Sequence, residues 1–293
     1  MPTHTLQNLR DKINEIILLE DPYIVEVVSA SVIAHYLSSD PCWIVIVAQS
    51  GGAKSEFINL VSNVVWTPPA KPGKESLPQR VHPLSTLTPK TFISGQKGEE
   101  SSLLLKIQNG IITFKDLTSL LSERAEDRAV IMGQLREIWD GKYTKSFGTG
   151  ITINWKGKIT ILAGATYAIH GLKQAYTAMG ERFIFYNMTQ PDEEMAGIKT
   201  MDNQEEGLMT EHRAELTGYM TDYILDVLNN MPKEIKKIER ELKKDIVSLA
   251  VMATHGRSVV ERNWRSRDQE ITNVDPPEMP TRFAGSLQTM IKA

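Results

Sequence analysis

The stretch AQSGGAKSEF at residues 48–57 sets a lysine and a hydroxyl, Lys54 and Ser55, behind a run of small residues, and these types at this spacing can bind phosphate. A loop built from Gly51, Gly52 and Ala53 lets several backbone N–H groups point into one concavity, and a helix starting there adds positive potential. Lys54 would bring a mobile cation to the outer phosphates, and Ser55 a hydroxyl to Mg²⁺. The spacing departs from G-x-x-x-x-G-K-[ST] at Ala48 and Ala53. Taken alone, the stretch reads equally as an ordinary strand-to-helix turn with a solvated lysine.

A phosphate loop needs a buried strand before it and a helix after it. Trp43 to Val47 is a continuous β-branched run suited to a strand covered on both faces, and Glu56 to Val64 resumes helical spacing. Upstream, Leu9, Ile13, Ile16 and Ile17, then Ile24, Val27, Val28, Val32 and Ile33, predict two helices separated at Asp21-Pro22. Downstream, the prolines between Thr67 and Pro83 predict an irregular excursion. Strands are expected at Ile111 to Phe114, Ile159 to Ala163 and Ile184 to Tyr186, and a helix over Glu126 to Trp139. A hairpin is expected between Gly141 and Lys158. From Glu205 the pattern is helical, with Ile235, Ile238, Leu242, Ile246 and Leu249 on one face of a charged helix whose run KEIKKIERELKKD reads as solvated.

This order gives an α/β core with a separate α-helical lid: a helical segment over 1–40, a core with a parallel sheet flanked by helices over 41–200, and a lid over 201–293. A hydrophobic share of 41% suits a buried core, and a formal charge of -3 excludes a globally basic nucleic-acid coat while allowing a local positive patch. Cys42 is the single cysteine, so no internal disulfide can form. With no signal-type apolar core at the N-terminus and no apolar stretch of membrane-spanning length, the expectation is a cytoplasmic protein without a membrane partner.

The ordered set AQSGGAKSEF, IITFKDLTSL, ITILAGATYA, MGERF and PPEMPTRFAGSL resembles the AAA+ P-loop ATPases, in particular the minichromosome maintenance helicases and their phage and mobile-element relatives. The resemblance covers roughly residues 22–293 and resides in the order of the motifs. In that group alanine commonly precedes the P-loop lysine, so Ala53 suits it and Ala48 does not. The resemblance implies that Gly51, Gly52, Ala53, Lys54, Ser55 and Glu56 bind ATP and that Ser55 and Asp116 hold Mg²⁺. Asp116 falls at the Walker B acid, although relatives usually carry two adjacent acids where this chain has Lys115 and Asp116. Without the resemblance, Asp116 reads as a helix N-cap.

By the same resemblance Thr166 matches sensor 1, often asparagine in relatives. Arg182 matches the arginine finger that completes a neighbouring subunit's site, and Arg282 the sensor 2 arginine. Alone, Arg182 reads equally as one half of an ion pair with an acid. The segment KYTKSFGTGITINWKGK matches the pre-sensor 1 hairpin, making Lys142, Lys145, Phe147 and Lys158 candidates for DNA contact. Relatives continue past the last helix into a winged-helix or similar domain, which this sequence does not show before Ala293.

The implied function is a hydrolase that binds ATP and Mg²⁺ and works on DNA as a homo-oligomer, a hexameric ring, in replication or remodelling for a phage or mobile element. Two alternatives stay open. One is a weakly hydrolysing structural or regulatory ring subunit, suggested by Lys115 and Ala48. The other is a P-loop phosphotransferase, which would need no Arg182.

Overall fold

The structure, a computed structural model, describes residues 5–64, 81–94, 102–172, 182–205, 209–232, 234–258, 260–263, 268, 270–274 and 276–293. Most of the proline-rich excursion and Met179-Gly180-Glu181 lie outside the described residues.

The helices α1 (Leu6–Ile16) and α2 (Ile24–Ala34) precede β1 (Trp43–Val47), and α3 (Lys54–Ser62) follows it. Then come β2 (Val81–Leu84), a short α4 (Leu103–Ile107), β3 (Gly110–Phe114) and α5 (Ala125–Trp139). The strands β4 (Lys142–Ser146) and β5 (Thr152–Lys156) pair antiparallel as a hairpin before β6 (Ile159–Ala165) and β7 (Phe183–Asn187). The C-terminal part holds α6 (Glu193–Glu205), α7 (Met209–Asn230), α8 (Arg240–Arg257), the hairpin of β8 (Val260–Arg262) with β9 (Ile271–Val274), and α9 (Thr281–Lys292).

The protein is a mixed α/β chain whose five-stranded sheet has the order β2-β3-β6-β1-β7, every neighbouring pair parallel. All five residues of β1 are buried, because successive side chains leave opposite faces and both faces are covered. Ile44 and Ile46 join Leu162 and Ile184 in a cluster with Ile13, Val28, Phe57, Leu216 and Met220, so α1, α2, α3 and α7 share one core. Trp43, Val45 and Val47 join Ile161, Ala163 and Phe183 in the opposite cluster with Ile131, Leu135 and Ile138 of α5. The break at Asp21-Pro22 is fastened to the end of β7: the buried Asp21 carboxylate accepts from Tyr186 Oη at 2.5 Å and from the Thr189 amide at 2.7 Å.

Three expectations need correction. The excursion does not run through Pro83, which sits in the edge strand β2, where a residue lacking an N–H is tolerated. The charged helix begins only at Arg240, leaving Ile235 and Ile238 in irregular chain, and Leu249 of the expected apolar face is 55% exposed. The C-terminal part is also not wholly helical, since β8 and β9 interrupt it.

Candidate functional site

β1 ends at Val47, and the chain turns through a short loop into α3. Gly51 has φ 84°, and Ala53, the residue before α3, has φ 56° in the left-handed region. That conformation costs an alanine roughly 1–2 kcal/mol, so the loop shape is imposed by its surroundings. Gln190 lies over the loop: a Cβ at Gly52 would meet its flexible Oε1 end at 2.0 Å and the Gln49 carbonyl at 3.2 Å, so a larger residue there would first have to push the Gln190 side chain aside. No side chain caps the head of α3, and its first amides have no preceding carbonyl within the helix. Lys54 is only 6% exposed, and its ammonium donates to the Gln49 carbonyl at 2.9 Å. Small neutral residues, a helix head without a side-chain cap and a cation resting on one loop carbonyl suit a phosphate. The Ser55 hydroxyl is exposed in the first turn of α3.

The sheet order places the other candidates beside this loop. Lys54 and Ser55 follow β1, Thr166 follows β6 and Asp116 follows β3, and these strands lie next to one another in the order β3-β6-β1. All four residues therefore stand at the C-terminal edge of the sheet, within about 10 Å across it from strand spacings of about 4.8 Å. Open parallel sheets bind ligands at that edge. Gly164 permits the closest approach, because a Cβ there would press on the Lys115 carbonyl at 2.5 Å and touch Lys54 Cδ at 3.6 Å. Asp116 is exposed, and one carboxylate oxygen accepts from the Thr118 amide at 2.8 Å, capping a short 3-10 helix over Leu117–Ser122. Thr118 ties this loop to the next: its hydroxyl accepts from the Thr166 amide at 2.9 Å and lies 3.3 Å from Thr166 Oγ1. Lys115 is exposed beside Asp116.

Arg182 and Arg282 lie elsewhere. The pairing of Trp43 with Phe183 puts Arg182 at the N-terminal edge of the sheet, opposite the end that carries Lys54. Arg182 is 5% exposed; it donates to Asp140 Oδ1 at 3.1 Å and Oδ2 at 3.3 Å, and its guanidinium carbon stands 5.3 Å from the Trp139 ring. Arg282, exposed in the first turn of α9, stands 5.9 Å from the same ring. The structure thus groups these two arginines with each other, away from the loop.

The hairpin sorts its candidates by face. Lys142, Thr144, Ser146, Thr152, Asn154 and Lys156 are exposed, whereas Tyr143, Ile153 and Trp155 are buried. Lys145 falls on the face of Tyr143, opposite Ile153, where it is half-buried near the tip and brings its ammonium to within 5.3 Å of the Phe147 ring. Lys142 stands directly opposite Lys156. Like charges in that position repel, so the sequence keeps two cations together where an anion would relieve them.

Two candidates have other roles. Lys158 donates to the carbonyls of Ala34 at 3.0 Å and Leu37 at 2.8 Å, closing the C-terminal end of α2, and burial pushes its amine down to about 8. It is a helix cap, not an exposed DNA contact. Glu56 pairs with Arg213 of α7 at 2.7 and 3.0 Å while its amide donates to the Ala53 carbonyl, so its side chain joins α3 to α7.

Sequence reading missed Gln190, Thr118, Lys156, Arg213, Trp139 and Asp140. Lys156 was legible from alternation along the hairpin. The others act through contacts between distant segments, for which the chain carries no local signal.

No family model matches the chain, and no curated protein matches it. Among solved structures, it is similar to "SCCmec type IV Cch - active helicase" with a TM-score of 0.42 and 15% identity, over 99% of this chain and 47% of that one. The chain therefore spans about half the length of that protein.

Proposed function

We propose that the chain is an ATP-binding and ATP-hydrolysing subunit of the AAA+ kind, assembled as a head-to-tail homo-oligomeric ring that acts on DNA. The observation carrying this reading is the convergence of Lys54, Ser55, Thr166 and Asp116 at one edge of the sheet, with Arg182 and Arg282 grouped at another place. The loop and the head of α3 bind the phosphates, with Lys54 leaving the Gln49 carbonyl to meet them. Ser55 and Asp116 hold Mg²⁺, which when bound neutralises charge on the transferred phosphoryl group. Thr166 orients the water or the outer phosphate, with Thr118 keeping its loop in place. Arg182 and Arg282 serve the site of a neighbouring copy. Expected partners are DNA and further copies of the chain.

Lys54→Ala is expected to weaken ATP binding several-fold or more, since it removes one charge-assisted hydrogen bond worth on the order of 1.5–3 kcal/mol. Calorimetry decides this, and unchanged affinity would remove the phosphate-loop assignment. Steady-state hydrolysis with and without DNA, beside a mass measurement in ATP, tests the wider reading. A monomer with DNA-independent turnover and a small acceptor would point to a phosphotransferase.

The DNA-binding role is assigned to the exposed face of the β4–β5 hairpin and to its tip. Lys142→Glu with Lys156→Glu is expected to weaken DNA binding and reduce its logarithmic salt slope by about 2, one unit for each phosphate that is no longer neutralised. Lys145→Glu, on the opposite face near the tip beside Phe147, is expected to reduce the slope by about 1, with ATP affinity preserved in both proteins. Titrations at several salt concentrations giving the wild-type slope would count against this hairpin.

A specific observation favours a second reading. Lys115 stands where a second acid would serve the water, and Asp116 already spends one oxygen on Thr118. A subunit that binds ATP and hydrolyses it slowly would have this arrangement.

A further inference from the structure

We propose that Trp139 and Asp140 form a positioning unit for the two arginines: Trp139 aims Arg182 and Arg282 as a pair, and Asp140 is a resident counterion displaced by a phosphoryl group held on a second copy of the chain. The inference rests on the reading that these arginines serve a neighbouring site, and it adds the residues that hold and release them.

The two arginines come from different elements, one just before β7 and one in α9, and both stand over the ring of Trp139. Trp139 is the last residue of α5 and is only 7% exposed, so packing fixes its ring. A fixed indole attracts guanidinium groups through its π face without neutralising them, leaving their N–H donors for an anion.

Asp140 differs from its partner in mobility and in cause. Its side chain is 49% exposed while that of Arg182 is 6% exposed, so the carboxylate can swing into water and the guanidinium cannot. Asp140 also terminates α5, where a carboxylate faces the negative end of the helix dipole. Its place there follows from the arginine and not from the helix. Burial lowers the proton affinity of Arg182, Asp140 raises it, and Arg282 and Arg136 lower it again. An incoming phosphoryl group would take over from Asp140 and also offset the repulsion from Arg282 and Arg136.

The test compares the full chain with Trp139→Leu, Trp139→Phe, Asp140→Asn and Arg182→Ala. ATP affinity, kcat, KM and the protein concentration giving half-maximal turnover are measured for each. Trp139→Leu is expected to lower kcat by about 10²-fold, the cost of misplacing a catalytic group by about 1 Å, with ATP affinity unchanged. Trp139→Phe should recover most of that loss, because a phenyl ring still attracts the guanidinium groups. Asp140→Asn should reach half-maximal turnover at a several-fold lower protein concentration, since the competing carboxylate is gone. A purely structural ion pair would give the reverse, a higher concentration and a lower kcat, and that result overturns the proposal. So does wild-type kcat in Trp139→Leu. If Trp139→Leu does not fold, Trp139→Phe and Asp140→Asn decide. Loss of turnover in Arg182→Ala beside unaffected Trp139 and Asp140 variants defeats this inference alone. Wild-type turnover in Arg182→Ala, or neither hydrolysis nor ATP-dependent association in the wild-type chain, defeats the functional reading and this inference with it.

Discussion

Asp116→Asn should bind ATP within about twofold of wild type and lose at least about 10²-fold in turnover, because the metal-held charge stabilisation it removes is worth several kcal/mol. The substitution is informative because of the cap. The carboxamide oxygen of asparagine can still accept from the Thr118 amide, so the turn that carries residue 116 is kept and only the charge is lost. Turnover within about threefold of wild type would mean that another acid does the work. The neighbouring position separates the two readings of the site. Lys115→Glu replaces an exposed cation with the acid that the motif lacks, and it can do so without repacking because the side chain is in solvent. If the wild-type chain hydrolyses slowly for want of that acid, Lys115→Glu is expected to raise turnover; a fast wild-type enzyme that Lys115→Glu does not improve removes the slow-subunit reading.

The parts of this molecule that were legible in the sequence are those whose cause is local. Trp43 to Val47 announced a doubly covered strand because every residue in it is apolar, and the small residues after it announced a turn into a helix. Alternation with helices announced a parallel sheet of four of its five strands, while the edge strand β2 was hidden by Pro83 in the proline-rich excursion. The charged helix starts later than its spacing predicts: Ile235 and Ile238 are half-buried in irregular chain, and helical spacing alone does not make a helix whose stability comes from tertiary packing. The β8–β9 hairpin gave no signal because the residues of β9 are all exposed, so no alternation marks the strand. In the site, the residue types at Lys54, Ser55, Asp116 and Thr166 were readable, but their neighbours were not. Gln190 lies over Gly52, and Thr118 bridges to Thr166, through contacts that only the folded chain creates. Lys158 was misjudged for the same reason, since its charge is visible in the sequence and its acceptors, the carbonyls of Ala34 and Leu37, are not.

Arg182→Ala is expected to keep ATP binding and lose about 10³–10⁵ in turnover, the range that an arginine supplied to a transferred phosphoryl group contributes in comparable enzymes. Geometry excludes a role in its own subunit. β1 and β7 run parallel with Trp43 opposite Phe183, so Arg182 sits at the start of the strands and Lys54 beyond their end. Five residues of strand at about 3.3 Å each separate them by at least roughly 16 Å, more than twice the reach of an arginine side chain. The arginine therefore acts on a neighbour or does no chemistry. Because Arg182 is buried in an ion pair, its removal leaves Asp140 without that partner, and loss of a partly buried pair can destabilise the fold. Thermal midpoints must accordingly be measured beside turnover, with Arg182→Lys as a variant that keeps the charge while losing the forked geometry. Mixing resolves what remains. Lys54→Ala has an intact arginine and a defective loop, whereas Arg182→Ala has the converse, so interfaces between them pair an intact loop with an intact arginine. Such mixtures should recover part of the missing activity, and turnover per subunit should rise with protein concentration because a head-to-tail interface must form first. Silent mixtures in a preparation shown to exchange subunits, together with turnover strictly proportional to protein and a monomeric mass in ATP, would leave Arg182 as the structural partner of Asp140 and nothing more.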